Sequence, residues 1–176
     1  AGLTVYGYHS ITNFGQITGN MSVGWGIVTD GAGDIDNFGT ITGRVGVYNY
    51  GIAVSVRLNN HGIITGTDHS YSGQNSLALE TIVNTGTMQG QVRLGDGEDS
   101  SFDSTLGIVI GAIVGGFGSN ALTGGRDDNR IFGEGGNDVI HGNGGNDTLR
   151  GGANDDQIFG DDGNDAIYVD DPDGID

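Results

Sequence analysis

Leu122, Ile131, Ile140, Leu149, Ile158 and Ile167 recur at intervals of nine residues without a slip. The units that hold them read GGFGSNALT, GGRDDNRIF, GEGGNDVIH, GNGGNDTLR, GGANDDQIF and GDDGNDAIY. The sixth position of each is Asn120, Asn129, Asp138, Asp147, Asp156 or Asp165. Six consecutive units in phase restrict the segment to a stacked repeat architecture. Glycine makes up 37 of the 176 residues, proline one, and no collagen-like triplet is present. So much glycine suits tight turns recurring at fixed intervals.

A longer repeat precedes the nonapeptides. Ile11–Gly19 (ITNFGQITG), Ile35–Gly43 (IDNFGTITG), Leu58–Gly66 (LNNHGIITG) and Ile82–Gly90 (IVNTGTMQG) start 24, 23 and 24 residues apart. Each begins with an aliphatic residue and carries Asn third, Gly fifth, Ile or Met seventh and Gly ninth. Alternation of period two around Asn-x-Gly predicts two short strands meeting at a corner. A repeat of this length is too short for a helix-containing crossover and suits one rung of a parallel β-solenoid. Stacking would set Asn13, Asn37, Asn60 and Asn84 in a column of amides bonding from rung to rung. The fold expected is all-β: broad rungs over 1–106, a nonapeptide roll over 107–168, and a frayed acidic tail over 169–176. Gly111, Ile113 and Gly115 repeat the fifth, seventh and ninth positions of the longer phrase and Gly115 also opens the first nonapeptide, which predicts one uninterrupted solenoid.

Twenty aspartates and three glutamates against six arginines, with no lysine, give a formal net charge of −17. Such a chain repels nucleic acid and anionic membranes. Aspartate, the shorter acid, suits turns and oxygen cages for hard cations. There is no cysteine, hence no disulfide framework and no thiolate metal site. No stretch approaches the about 20 apolar residues of a membrane span. The chain begins with Ala1 and reads as part of something longer.

From about Gly115 to Tyr168, roughly a third of the chain, the nonapeptides resemble the repeats-in-toxin (RTX) family, whose pattern is G-G-x-G-x-D-x-U-x with U a large aliphatic. The resemblance implies a parallel β-roll, two nonapeptides completing one coil, with Ca2+ between alternate turns on each edge. In that arrangement the earlier repeat gives the carbonyls of its second and fourth positions and the later one those of its first and third. The sixth side chains of both complete the site. One site would then join Glu134, Gly136 and Asp138 with Gly151, Ala153 and Asp156, and a second Asn143, Gly145 and Asp147 with Gly160, Asp162 and Asp165. Two mixed sites would join Gly125, Asp127 and Asn129 with Gly142, Gly144 and Asp147, and Gly116, Gly118 and Asn120 with Gly133, Gly135 and Asp138. Asparagine offers oxygen without charge, so the mixed sites are expected to be weaker. Asp127 and Asn154 stand where the pattern has its fourth-position glycine, a source of strain if that turn needs positive φ.

Residues 120–176 carry 13 Asp and 1 Glu against 3 Arg, with about one strong aliphatic per nine residues. Such a segment offsets neither its ordering entropy nor its self-repulsion unaided, so calcium binding is expected to drive its folding. The resemblance points to a secreted or cell-surface bacterial protein, a type I export route, and a structural, secretion or adhesion role. The alternative is an accessory module of an extracellular polysaccharide-acting enzyme. No Ser-His-Asp, H-E-x-x-H or phosphate-loop pattern occurs, so neither catalytic nor cofactor-binding residues are expected here. Asp96, Glu98 and Asp99 read equally as a degenerate calcium turn or a plain acidic loop. His61 shares the column of Phe14 and Phe38, a packing position. Tyr6, Tyr8, Trp25, Tyr48 and Tyr50 would favour carbohydrate contact if they line one exposed face.

Overall fold

A computed structural model describes residues 2–51, 55–73, 76–97 and 99–169. Among these residues there is no helix; nineteen strands form two sheets, eleven strands in one and eight in the other, with every pairing parallel. The chain winds between the two sheets as a β-solenoid of about eight turns. No helix is long and apolar enough to cross a membrane among the described residues.

The period-two patterning becomes a core because alternate side chains leave a strand on opposite faces. In Gly33–Asn37 and Glu80–Asn84, Ile35 and Ile82 turn inward and stack with Leu58 between them. Ile41, Ile64 and Met88 form the facing column. In the nonapeptides the aliphatics take alternate sheets: Leu122, Ile140 and Ile158 in one, Ile113, Ile131, Leu149 and Ile167 in the other. Each fully buried Leu or Ile contributes about 1.5–3 kcal/mol, and the roll places only one per nonapeptide.

The asparagine column forms as the sequence predicts. The amide of Asn13 donates to Asn37 Oδ1 at 2.8 Å, Asn37 to Asn60 at 2.7 Å, Asn60 to Asn84 at 2.8 Å, and Asn84 to Ser104 Oγ at 2.9 Å. Every member is buried. Replacing Asn60 with Ala takes the Asn60 donor from the buried Asn84 side-chain carbonyl and leaves the Asn37 amide only its longer bonds to the Gly39 and Ile63 carbonyls, an expected loss of about 2–4 kcal/mol. A denaturant midpoint followed through Trp25, the single tryptophan, measures it.

A second polar column, which the sequence does not announce, runs along the opposite edge. Asn49 donates to Glu80 Oε1 at 2.7 Å and to Ser76 Oγ at 3.1 Å, and the Gly95 N–H donates to Glu80 Oε2 at 2.9 Å. The Glu80 N–H donates to Ser100 Oγ at 3.0 Å, and the Ser100 N–H to Asn120 Oδ1 at 3.0 Å. The Tyr71 hydroxyl is enclosed next to the Glu80 carboxylate without meeting full hydrogen-bond geometry. Burial pushes the Glu80 carboxyl up from its ordinary 4.5, against these donors, and pushes the Tyr71 hydroxyl well up. A carboxyl raised in the fold binds more protons folded than unfolded, so its contribution is full below the ordinary value and is lost as pH rises through the raised one. The Trp25-detected midpoint of wild type is therefore expected to fall across that window, and Glu80→Gln to flatten the fall.

Rung length steps down along the axis. The asparagine partners lie 24, 23 and 24 residues apart, Asn84 and Ser104 20 apart, and the roll's partners 18 apart. Outside the core, Phe14, Phe38 and His61 stack at 5.1 and 4.7 Å along one corner. Trp25, Tyr48 and Tyr50 stack in a row at 5.9 Å spacings, while Tyr6 and Tyr8 are exposed.

Candidate metal centre

The turns of the roll are made by left-handed residues at fixed places. At the second position φ is 109° at Gly116, 82° at Glu134, 71° at Asn143, 116° at Gly152 and 64° at Asp161. At the fourth it is 110° at Gly136, 109° at Gly145, 82° at Asn154 and 145° at Gly163. Asn154 thus takes the conformation that glycine would, at the reduced cost Asn enjoys there, whereas Asp127 does not enter that region. Gly125, at the same place in the second unit, does not enter that region, and Glu134, Asn143 and Asp161 mask the second-position pattern that Gly116 and Gly152 carry.

Two ladders tie each turn to the one 18 residues away. The sixth-position Oδ1 reaches back to a main-chain N–H: Asp138 accepts from Asn120 at 2.7 Å, Asp147 from Asn129 at 2.7 Å, Asp156 from Asp138 at 2.9 Å and Asp165 from Asp147 at 2.9 Å. The fifth-position side chain reaches forward: Ser119 accepts from the Asn137 N–H, Asp128 from Asn146, Asn137 from Asp155 and Asn146 from Asn164.

The other carboxylate oxygen is what a cation would meet. Asp138 and Asp147 are 1 % exposed, and the Oδ2 of each is buried without a hydrogen-bond partner. Asp138 Oδ2 shares the space over Gly133 with the Gly151 carbonyl, and Asp147 Oδ2 that over Gly142 with the Gly160 carbonyl. A Cβ on either glycine would fill that space. Burial, with Asp156 as an added like charge, pushes the Asp138 carboxyl up to about 7; burial and Asp165 push Asp147 up as well. Desolvated oxygens converging with no hydrogen-bond donor between them are a donor set for a hard cation, and Ca2+ fits it. Among the described residues no three acidic or histidine side chains gather at one point. Main-chain carbonyls would then complete the donor set.

Of the expected carbonyls, Gly125 accepts from the Gly144 N–H at 3.1 Å, Asn143 from Asp162 at 2.6 Å and Ala153 from Gly136 at 3.2 Å. Each keeps a second lone pair. Glu134 and Gly136 are the left-handed residues of Asp138's own turn, Asn143 and Gly145 those of Asp147's. In the mixed sites, Asn129 Oδ1 crowds Gly124 beside the Gly142 carbonyl, while at Gly115 the Gly133 carbonyl is joined by Asn120 Nδ2 instead.

Upstream, Asp96 pairs with Arg93 at 3.1 Å and Asp99 accepts the Ser119 N–H at 2.8 Å, so both have structural partners. Glu98 lies outside the described residues, as does the tail from Asp170. His141 stacks on Phe159 and meets Asp161 at 3.0 Å.

A family profile for the RTX calcium-binding nonapeptide repeat, in 4 copies, matches residues 114–149 and 141–171. Comparison with curated proteins and with solved structures gives no match. RTX repeats bind Ca2+, and they are typical of secreted bacterial proteins and typically structural. The C-terminal third of this β-solenoid is built of RTX calcium-binding repeats.

Proposed function

We propose that this chain is a calcium-stabilised structural segment of a secreted bacterial protein, and that its roll over 107–168 folds, beyond its first turn, when it binds Ca2+. The observation that carries this reading is the pair of buried oxygens, Asp138 Oδ2 and Asp147 Oδ2, each aimed with a carbonyl of the next coil into a glycine-lined space. The cations would be held by Asp138 with Asp156 and by Asp147 with Asp165, together with the main-chain oxygens of Glu134, Gly136, Gly151, Ala153, Asn143, Gly145, Gly160 and Asp162. Calcium supplies the charge that lets these carboxylates remain ionised while buried, and the protein supplies preset turns and the two ladders that fix them. Folding after export into a calcium-rich exterior follows from this coupling. The broad rungs, 1–106, serve as a spacer or surface-contact part; the row of Trp25, Tyr48 and Tyr50 supports contact with a cell surface or polysaccharide. No catalytic role is assigned to the chain.

Calorimetric titration of the full chain with Ca2+ tests the reading. Wild type is expected to bind several ions, and Asp138→Asn to weaken at least one of them tenfold or more. Absence of binding heat would exclude the reading.

A further inference from the structure

We propose that the first turn of the roll holds no cation because the side-chain amide of Asn120 takes its place. This rests on the calcium reading of the turns that follow. Asn120 is 2 % exposed and stands in the column of Asp138 and Asp156. Its Oδ1 accepts the buried N–H of Ser100 at 3.0 Å, which fixes which end of the amide faces which way. Nδ2 therefore points into the turn, where it donates to the Gly118 carbonyl at 2.6 Å. It lies 2.9 Å from where a Cβ on Gly115 would be, beside the Gly133 carbonyl. That is the location, one coil earlier, at which Asp138 Oδ2 sits over Gly133 without a partner.

The two side chains differ in one atom, and that atom decides the chemistry. Asp138 presents an oxygen that calls for a positive charge. Asn120 presents an N–H2 that has no lone pair to offer and would turn its donor hydrogens toward a cation. Flipping the amide to offer oxygen would strand the Ser100 N–H in the interior. Asn129 does the opposite: its Oδ1 accepts the Gly125 N–H at 2.6 Å and faces the space over Gly124, so its turn keeps an oxygen for an ion.

The first turn then depends on the broad rungs rather than on metal. The Ser119 N–H donates to Asp99 and the Ala121 N–H to the Ser100 carbonyl, both upstream. The turn is thereby a ready-made starting edge on which calcium assembles the next coil.

Two measurements on the full chain test this. Equilibrium dialysis with Ca2+ is expected to count one more ion in Asn120→Asp than in wild type. Hydrogen exchange in chelator is expected to leave the Ser100, Ser119 and Ala121 amides of wild type protected while those of the later turns exchange, and Asn120→Asp to lose that protection. Equal, non-zero ion counts, or wild-type amides at these three positions that open on chelation, would overturn the Asn120 assignment and leave calcium at Asp138 and Asp147 intact. No bound ion in either protein would defeat the calcium reading and this inference with it. The wild-type exchange result stands by itself if the variant fails to fold.

Discussion

In chelator, the full chain is expected to lose the strands from Arg130–Gly135 onward and to keep those upstream. The two halves rest on different forces. Ile35, Leu58, Ile82, Ile41, Ile64 and Met88 close a dry core in the broad rungs, reinforced by the buried asparagine column. The roll has one buried aliphatic per nonapeptide, and toward its end Ile158 is only partly buried and Ile167 is 44 % exposed. Against this stand 13 Asp and 1 Glu in residues 120–176. An ion supplied at about 100 times its Kd contributes about 2.7 kcal/mol to the form that binds it, so several ions account for the whole stability of such a segment. Hydrogen exchange in Ca2+ and in EGTA locates the change, with far-ultraviolet circular dichroism reporting its size and Trp25 fluorescence reporting the broad rungs. Protection of Thr148–Ala153 that survives chelation would show that the roll folds without metal.

The second large effect is expected from a single methyl group. A Cβ on Gly142 would clash with Asp147 Oδ2 and come within 2.6 Å of the Gly160 carbonyl, a main-chain atom that cannot step aside alone. Gly142→Ala should therefore raise the calcium concentration at the folding midpoint tenfold or more, matching an overpacking cost of about 1–3 kcal/mol. Gly144→Ala is the control. A Cβ there meets nothing nearer than 3.7 Å, its φ is not in the left-handed region, and Ala153 already occupies the same position of a later unit. Its midpoint should stay within about twofold of wild type. Equal effects from the two substitutions would mean that the space over Gly142 holds nothing of consequence.

Most of the architecture is legible in the repeats. A period that never slips sets which residues recur together, so the Asn13-to-Asn84 column and the recurrence of sixth-position acids follow from spacing, while the alternation of Leu122 and Ile131 between sheets is what the RTX resemblance implies. What spacing does not carry is the choice each side chain makes within its turn. Asn120 and Asn129 are identical in a repeat alignment, yet one turns its amide inward and the other its oxygen, because only Asn120 has the Ser100 N–H to satisfy. Glu134, Asn143 and Asp161 conceal a left-handed requirement that glycine would have advertised. Glu80 gave no signal either, since its partners Asn49, Ser76 and Gly95 belong to segments that carry no shared phrase.

Strands of the roll alternate between two sheets, and each ladder bond spans 18 residues, two nonapeptides. The number of units therefore works as an angular gear. Inserting two nonapeptides would lengthen the molecule and leave everything beyond them facing the same way. Inserting one would swap the two edges downstream and rotate whatever follows by half a revolution about the long axis.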